Sequence, residues 1–204
     1  MANTEVSRAP LGRVTLYLEY LNSLADTKSH ISATAVAKGL GLGDVQVRKD
    51  LNALCGKGKP KTGYEITDLI KSLNKVLDSE NGSAVIVGAG KLGTALLDYS
   101  GFSVYGLNVS AAFDNKIKEP AVSQSEKPIL PLEKLSDFCR DNNVKIGIIA
   151  VPKQAAQEVC DMLCKNGIKA IWCFAQCQLS VPENVIVQYE NMALSLAHLK
   201  MQIK

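Results

Sequence analysis

The sequence predicts an α/β protein in which a small helical domain precedes a doubly wound, mostly parallel sheet and a final apolar helix. Three observations lead to this fold class. Apolar residues recur at helical spacing through the first third of the chain. Beyond "LDSENGSA" (Leu77–Ala84), short β-branched runs alternate with amphipathic segments, as in βαβ units. The first of these runs leads into three glycines spaced G-x-G-x-x-G.

Composition restricts the class of protein further. The 204 residues are 47% hydrophobic and 21% charged, as in ordinary globular proteins. No apolar run approaches the ~18 residues that a membrane span needs, and the N-terminus has no apolar core of the signal-peptide kind. We therefore expect a cytoplasmic protein with no membrane partner.

Four helices are predicted before the boundary, each from the spacing of its apolar residues. They cover Leu11–Ala25, Ala33–Leu40, Val45–Leu54 and Asp68–Leu77. Residues that favour the N-cap precede the last three helices, at Ser32, Asp44 and Thr67. The second and third helices, joined by "GLG", form a helix-turn-helix candidate. The segment "GKGKPKTGYEI" after them predicts a hairpin-like turn.

The third helix and the hairpin carry a local excess of positive charge. Five basic residues between positions 46 and 61 stand against Asp50 alone, although the net charge of the chain is only +3. Val47, Leu51 and Leu54 share the core face of the helix, so its other faces are free to meet a DNA groove. The candidate DNA-contacting residues are Gln46, Arg48, Lys49, Lys57, Lys59 and Lys61. A polyanion partner and a merely solvated face both remain open from charge alone.

The second part of the chain is predicted to alternate strands with helices. The predicted strands are Ala84–Val87, Leu107–Phe113, Ile129–Leu130, Lys145–Ala150, Ala170–Phe174 and Val185–Gln188. The predicted helices are Lys91–Tyr99, Leu132–Asn142 and Gln154–Asn166. Such alternation implies a parallel sheet that is covered by helices on both faces.

The glycines Gly88, Gly90 and Gly93 follow a strand and open a helix, which is the context of a dinucleotide-binding loop. In such a loop the first glycine makes the tight turn, the second lets the backbone approach the pyrophosphate, and the third lets the helix pack on the strand. Asp114 follows 21 positions after Gly93, where a carboxylate binds the adenosine ribose and favours NAD(H) over NADP(H). A structural glycine turn with another nucleotide, such as coenzyme A, is the alternative.

The glycine loop alone does not make an enzyme. A dehydrogenase needs a substrate pocket and a proton donor or acceptor near the nicotinamide. After its last predicted strand the chain offers only an apolar helix, and His198 on that helix is expected to pack. The residues therefore favour a nucleotide that acts as a signal, and the chain is predicted not to be an enzyme. A small NAD-dependent oxidoreductase is the alternative.

The last segment, Asn191 to Ile203, has apolar residues almost all round a helix. Such a helix must be buried, either in a second subunit or in a groove of its own chain. The six cysteines are expected to be reduced thiols that pack as small hydrophobes. The C-x-x-x-C spacings at Cys160/Cys164 and Cys173/Cys177 leave a thiol sensor as an alternative, and no metal site is predicted.

The whole chain resembles the Rex family of bacterial redox-sensing transcriptional repressors. The segments that carry the resemblance occur in family order. They are "VQVRKDL" (Val45–Leu51), "GY" (Gly63–Tyr64), "VGAGKLGTAL" (Val87–Leu96), "GF" (Gly101–Phe102), "AAFD" (Ala111–Asp114), "IAVP" (Ile149–Pro152), "AQ" (Ala156–Gln157) and "VPENVIV" (Val181–Val187). The resemblance implies a winged-helix DNA-binding domain over 1–78, a Rossmann NAD(H)-binding domain over 79–190, and a dimerisation helix over 191–204 that swaps into the partner subunit.

The resemblance also implies a function. It is that of a homodimer which binds palindromic operator DNA and is released when NADH binds, so that it reports the NADH/NAD⁺ ratio. The implied nucleotide contacts are Gly88, Ala89, Gly90, Lys91, Leu92, Gly93, Asp114, Val151 and Pro152. Positions linked to switching between the domains are occupied by Arg13, Tyr99 and Asn191.

Three features depart from the family pattern. Asn191 stands where the family has an aspartate that can pair with the first-helix arginine, and Glu190 lies beside it. The loop after Asp114 is shorter, and the wing "GKGKPKTGY" is richer in lysine than is usual. The glycine loop and the recognition helix are retained.

Overall fold

The computed structural model describes residues 8–77 and 82–203. The chain divides into two compact units, Met1–Ser79 and Glu80–Lys204. The predicted domain boundary between 78 and 79 lies outside the described residues. The first unit is helical with one small sheet, and the second unit is α/β.

The N-terminal unit contains five helices and a two-stranded antiparallel sheet in its described part. The helices are α1 (Arg8–Leu11), α2 (Val14–Leu24), α3 (Ala33–Leu40), α4 (Asp44–Cys55) and α5 (Ile66–Leu77). The strands are β1 (His30–Ile31) and β2 (Tyr64–Glu65). The apolar faces of α2 to α5 meet in a core whose fully buried members are Val14, Tyr17, Leu21, Val36, Val47, Leu51, Ile66 and Leu73.

The predicted first helix is divided in the structure. Helix α1 ends at Leu11, and α2 begins only at Val14, because the chain turns through Gly12. Glycine is a poor helix former, and the amide of Arg13 donates to the Pro10 carbonyl at 3.0 Å to close this turn. Arg13 is therefore the N-cap residue of α2 and not a residue inside the helix.

One of the three predicted caps is confirmed and two are wrong. The Ser32 hydroxyl accepts from the Ala35 amide at 3.1 Å and caps α3. Asp44 is instead the first residue of α4, because Gly43 occupies the cap position. Thr67 lies inside α5, which begins one residue earlier, and its hydroxyl donates to the Glu65 carboxylate.

The C-terminal unit is built around a seven-stranded sheet with strand order β5-β6-β4-β3-β7-β8-β9. The strands are β3 (Ser83–Val87), β4 (Asn108–Asp114), β5 (Ala121–Val122), β6 (Pro128–Pro131), β7 (Ile146–Ile149), β8 (Ala170–Cys173) and β9 (Ile186–Tyr189). All neighbours are parallel except β5, which pairs antiparallel with β6 at the edge. Strand β5 was not predicted, because it is two exposed residues without an alternating pattern.

Helices cover both faces of this sheet. They are α6 (Lys91–Leu97), α7 (Leu135–Asp141) and α8 (Lys153–Lys165). A further helix, α9 (Met192–Gln202), follows β9 and exposes all of its side chains. Alternate residues of β3 point to opposite faces: Val85 joins a buried cluster with α7 and α8, and Ile86 joins one with Leu97 of α6. The predicted fold class, α/β with a mostly parallel sheet and a helical N-terminus, is confirmed.

The predicted ends of two helices are wrong. Helix α6 ends at Leu97 and not at Tyr99. A short 3-10 helix, Ser100–Tyr105, follows it. The predicted helix Leu132–Asn142 begins as a 3-10 turn, Leu132–Lys134, before α7. None of the helices in 8–77 and 82–203 is long and apolar enough to span a membrane.

Candidate functional site

The loop between β3 and α6 is shaped by glycines that exclude side chains. Gly88 has φ of 106°, in the left-handed half of conformational space, and a Cβ there would lie 2.6 Å from the Ala150 carbonyl oxygen. A Cβ on Gly93 would collide with the Gly88 carbonyl oxygen. The chain can therefore turn sharply off β3 and bring α6 close to the sheet only with glycine at both positions.

Gly90 has a different role from these two glycines. A Cβ on Gly90 would meet nothing within 4 Å, so its backbone faces open space. That space belongs to a cleft of about 710 Å³ at the carboxyl ends of β3, β4 and β7. The strand order reverses at β3, and such a switch point is where ligands bind in open α/β sheets. Backbone without a side chain on the cleft wall lets an anionic group approach closely.

Asp114 ends β4 and lines the same cleft. Its Oδ2 accepts from the Ala89 amide at 2.8 Å, and its Oδ1 accepts from the Lys116 amide at 2.9 Å. Each carboxylate oxygen keeps a lone pair for a further donor, such as a ribose hydroxyl. The bond to Ala89 also ties the glycine loop to β4, a role that the spacing of the motif does not reveal.

Seven of the nine residues predicted to contact the nucleotide line the cleft: Gly88, Gly90, Lys91, Leu92, Asp114, Val151 and Pro152. Ala89 and Gly93 shape the loop and do not line the cleft. Glu158 and Met162 also line the cleft and were not predicted from the sequence. They lie four residues apart on α8 and so share one face of that helix. The signal in the sequence is this i, i+4 spacing in the helix that follows "IAVP".

In the N-terminal unit, the predicted wing is an ordered hairpin. The amides and carbonyls of Lys59 and Gly63 exchange two hydrogen bonds, at 2.7 and 2.8 Å. Lys61 stands at the tip with φ of 69°. A Cβ on Gly63 would collide with the Ile31 carbonyl oxygen of β1, and the Tyr64 hydroxyl donates to the Gly56 carbonyl at 2.9 Å. These contacts fix the hairpin beside the end of α4.

All six predicted DNA-contacting residues are exposed. Arg48, Lys49 and Lys57 also line a shallow cavity of about 450 Å³ between α4 and the base of the hairpin. Lys59 and Lys61 lie on the hairpin outside this cavity. Arg48 pairs with Asp44 one turn earlier at 2.7 Å, so its charge is partly balanced. The structure thus brings three of the basic side chains together and presents two more along the wing.

One charged residue of α4 points inward. Asp50 is 4% exposed, although the sequence shows it only as the one acidic residue of a basic segment. Its Oδ2 accepts from Arg13 Nε at 2.7 Å and from the Tyr17 hydroxyl at 2.6 Å, and its Oδ1 accepts from Arg13 Nη2 at 3.1 Å. The hydrogen bond to Asp50 raises the pKa of Arg13. Burial, and then the bond to Asp50, raises the pKa of Tyr17 to about 12.

Gln46 completes this network from the exposed side of α4. The end of its side chain lies against the Arg13 guanidinium, and assigning the amide so that its oxygen faces the arginine places that oxygen 2.9–3.2 Å from three guanidinium nitrogens. The opposite orientation of the amide would set its NH₂ donors against the donors of the arginine. Arg13, predicted as a switch residue, is therefore held inside the N-terminal unit by Asp50 and Gln46.

The other two predicted switch residues belong to the C-terminal unit. Tyr99 is 58% exposed and packs edge-on against Phe102, with ring centroids 5.0 Å apart. Asn191 caps α9, because its Oδ1 accepts from the Leu194 amide at 3.0 Å. In this role Asn191 acts as an ordinary helix cap.

The apolar helix α9 is uncovered within the chain. Its side chains are all exposed, including Leu194 at 64%, Leu196 at 70% and Met201 at 85%. The alternative in which α9 docks into a groove of its own chain is therefore wrong. A contiguous apolar surface of this kind marks an interaction site.

The cysteines are free thiols, and several are buried. Burial raises the pKa of Cys160 to about 12 and that of Cys139 to about 11. Such thiols stay protonated at neutral pH and are poor nucleophiles. No metal-binding group of His, Cys, Asp and Glu occurs among the described residues.

Comparisons with known proteins identify relatives for both units. A family model described as a putative DNA-binding protein N-terminus matches residues 5–52, and one described as a CoA binding domain matches residues 79–177. The redox-sensing transcriptional repressor Rex of Treponema denticola is 38% identical over 98% of this chain and 96% of its own length. That of Carboxydothermus hydrogenoformans is 36% identical over 100% and 99%.

Solved structures extend the similarity to three dimensions. A crystal structure of RSP, a Rex-family repressor, in complex with NAD⁺ and operator DNA matches with a TM-score of 0.80 and 32% identity, over 97% of this chain and 92% of that one. The structure of RSP in complex with NADH matches with a TM-score of 0.72 and 31% identity, over 98% and 94%.

Proposed function

The chain belongs to the Rex family of redox-sensing transcriptional repressors, and we propose that it binds operator DNA through its N-terminal unit and releases it when NADH binds to its C-terminal unit. One observation carries the proposal. Nearly the whole chain matches a repressor whose structures contain operator DNA with NAD⁺ in one case and NADH in another. Differential binding of NADH to the two states would then report the NADH/NAD⁺ ratio.

NADH fits the cleft of the C-terminal unit. The open backbone at Gly90 leaves room for the pyrophosphate, and Asp114 offers its remaining lone pairs to the adenosine ribose. A carboxylate at this position repels a 2′-phosphate, so NADH is preferred to NADPH. Lys91, Leu92, Val151 and Pro152 form the walls of the site, while Gly88, Ala89 and Gly93 hold the loop in shape.

Operator DNA meets α4 and the hairpin. Gln46, Arg48 and Lys49 stand on the exposed faces of α4, where a recognition helix presents side chains to the major groove. The three hairpin lysines contact phosphates or the adjacent minor groove, because their long, positively charged side chains can reach the DNA backbone from the hairpin. The lysine-rich sequence of the hairpin supports a large contribution from phosphate contacts.

The active species is a homodimer in which α9 of each subunit inserts into the other. The uncovered apolar side chains of α9 support this arrangement, since a second copy of the chain would bury them. A two-fold dimer also matches the symmetry of a palindromic operator. We expect light scattering to give a dimer for the wild type and a monomer for Leu196→Asp. A wild type that stays monomeric would contradict the dimer.

The nucleotide acts as a signal and not as a reactant. The full-length relatives are named as repressors, and His198 lies on α9, where its ring bonds to Gln202 at 2.9 Å. We place the protein in the cytoplasm, where both DNA and the NADH pool are found. Arg13, Tyr99 and Asn191 are proposed to relay the nucleotide-bound state, with Asn191 acting by capping α9 and not by charge pairing.

A regulator that responds to coenzyme A is the second candidate. The description of the family model over residues 79–177 favours it. Both candidates use the same cleft, so the ligand itself must decide between them.

Fluorescence anisotropy of a labelled palindromic, AT-rich duplex tests the proposal. We expect NADH to release the duplex, while NAD⁺, NADPH and coenzyme A have little effect. Asp114→Asn should bind the duplex normally but need about ten- to a hundredfold more NADH for release, because one charge-assisted hydrogen bond contributes ~1.5–3 kcal/mol. Release by coenzyme A alone would favour the second candidate. A duplex that is bound but released by no nucleotide would overturn the proposal.

A further inference from the structure

The cleft of the C-terminal unit has a polar part and an apolar part. The polar part is the glycine loop with Asp114, to which the proposed function assigns the pyrophosphate and the adenosine ribose. The apolar part is lined by four side chains: Leu132, Ala155, Val159 and Met162. Asp114 is paired with Pro131 in the parallel ladder, so Leu132, the next residue, stands beside the ribose acceptor. A base attached to a ribose at Asp114 therefore reaches the apolar part.

One carboxylate stands on the apolar wall. Glu158 lies three residues after Ala155 and four before Met162, so it shares their face of α8 and lines the cleft with them. Its side chain is exposed, and within residues 8–77 and 82–203 it has no hydrogen bond or ion pair. Asp114, the other carboxylate of the cleft, already accepts from two backbone amides. Glu158 is therefore an unused acceptor beside an apolar surface.

A carboxylate in this place distinguishes purines by the group at position 6. Adenine carries an amino group there, which is a donor, whereas guanine and hypoxanthine carry a carbonyl oxygen, which is an acceptor. An ionised carboxylate only accepts hydrogen bonds. It therefore binds the amino group of adenine but sets acceptor against acceptor for a 6-oxo purine. The apolar walls bind any flat base, so the polar group supplies the specificity.

We propose that Glu158 is a specificity-determining residue of the nucleotide site, whose carboxylate accepts a hydrogen bond from the 6-amino group of adenine. The base lies against the apolar part of the cleft, with Leu132 on one side and α8 on the other. This inference rests on the proposed function, because it takes the places of the pyrophosphate and the ribose from it. It adds a residue that recognises the adenosine half of the dinucleotide, whatever the redox state of the nicotinamide.

Two dinucleotides that differ in the base test this inference. The probes are NADH and reduced nicotinamide hypoxanthine dinucleotide, titrated calorimetrically into the full-length protein. We expect the wild type to bind NADH about tenfold more tightly, the lower end for one hydrogen bond to a charged group, because Glu158 is exposed. Glu158→Ala should lose this factor for NADH and keep its affinity for the hypoxanthine dinucleotide, so that the preference disappears.

Two further variants make the result specific. The amide of Glu158→Gln can accept from an amino group or donate to a carbonyl oxygen, so this variant should bind the two dinucleotides about equally. Asp161→Ala is the matched control on the same helix. Asp161 accepts from Gln157 Nε2 at 2.8 Å and lies outside the cleft, so its loss should leave the preference for NADH unchanged. Thermal unfolding confirms that each variant is folded.

The outcomes separate this inference from the proposed function. A wild type that binds both dinucleotides equally well would overturn the role of Glu158 and leave the nucleotide site intact. Equal losses of affinity for the two dinucleotides in Glu158→Ala would also overturn it, because a merely structural or general electrostatic role affects both alike. A wild type that binds neither dinucleotide would overturn the proposed function itself, and this inference with it.

Discussion

The two units build their candidate surfaces by opposite means. In the C-terminal unit the cleft exists because side chains are missing, at Gly88, Gly90 and Gly93, and because backbone amides hold Asp114. In the N-terminal unit the candidate DNA-facing surface consists of exposed side chains, mostly basic, and the Arg13–Asp50 ion pair lies partly buried on the inner side of α4. The first surface is sensitive to added volume, and the second is sensitive to a change of charge. Substitutions that add volume or remove charge can test this contrast.

The largest effect is expected from breaking the buried ion pair. Arg13→Met leaves Asp50 buried without a counter-charge, which should lower the free energy of unfolding of the N-terminal unit by ~3–5 kcal/mol. Arg48→Met is the matched control, because the exposed Arg48–Asp44 pair contributes only ~0–1 kcal/mol. Urea unfolding measures both. Similar losses in the two variants would remove the contrast between buried and exposed charge.

The next effect concerns volume in the glycine loop. Gly93→Ala drives a methyl group into the Gly88 carbonyl and should destabilise the C-terminal unit by ~1–3 kcal/mol. Gly90→Ala finds open space, so its stability should stay close to that of the wild type. We nevertheless expect both variants to lose NADH affinity, by calorimetric titration, because the added methyl of Gly90→Ala stands in the cleft. Equal stability of the two variants would contradict the separate roles of these glycines.

A smaller effect links the buried network to pH. The pKa of Tyr17 is raised from 10.0 to about 12 in the folded chain. Between these pH values Tyr17 therefore stays protonated in the folded chain but loses its proton in the unfolded chain. This contribution is complete below pH 10 and is lost as the pH rises towards 12, because the unfolded chain then binds fewer protons than the folded chain. Tyr17→Phe should cost ~1 kcal/mol at neutral pH, for one hydrogen bond, and flatten the alkaline loss of stability. An unchanged alkaline slope would show that Tyr17 does not titrate on unfolding.

The smallest effect is expected on the wing. Lys59→Ala should weaken duplex binding only a few-fold and reduce the slope of log K against log salt by ~1, as for one lost phosphate contact. Anisotropy titrations at several salt concentrations measure this slope. A loss of affinity that is independent of salt would mean that Lys59 does not contact phosphate.

The same contrast explains which features could be predicted from the sequence. The glycine loop and Asp114 follow from the spacing of the motif, because Gly88 and Gly93 are required by nearby backbone and Asp114 ends the strand next to the loop. Ser32 was predictable as a cap for the same reason. The role of Asp50 was not predictable, because its partner Arg13 lies 37 residues away along the chain, and only the tertiary fold of the unit brings the start of α2 beside α4.

Other errors have a related cause. Asp44 has the residue type of a cap, yet Gly43 takes that position and leaves the Asp44 carboxylate to Arg48. The edge strand β5 has no apolar pattern, since it is exposed on both faces. The residue type of Asp44 did not fix where α4 begins, and β5 offers no pattern by which an exposed edge strand can be recognised.

The most direct test of the link between the two units is reciprocity. If NADH weakens operator binding, then operator DNA must weaken NADH binding by the same factor. We predict that saturation with a palindromic duplex raises the Kd for NADH by about tenfold or more, within the range of ~1–3 kcal/mol that is typical of allosteric coupling. The Kd for NAD⁺ should change far less. An NADH affinity that is the same with and without the bound duplex would contradict the proposed regulation.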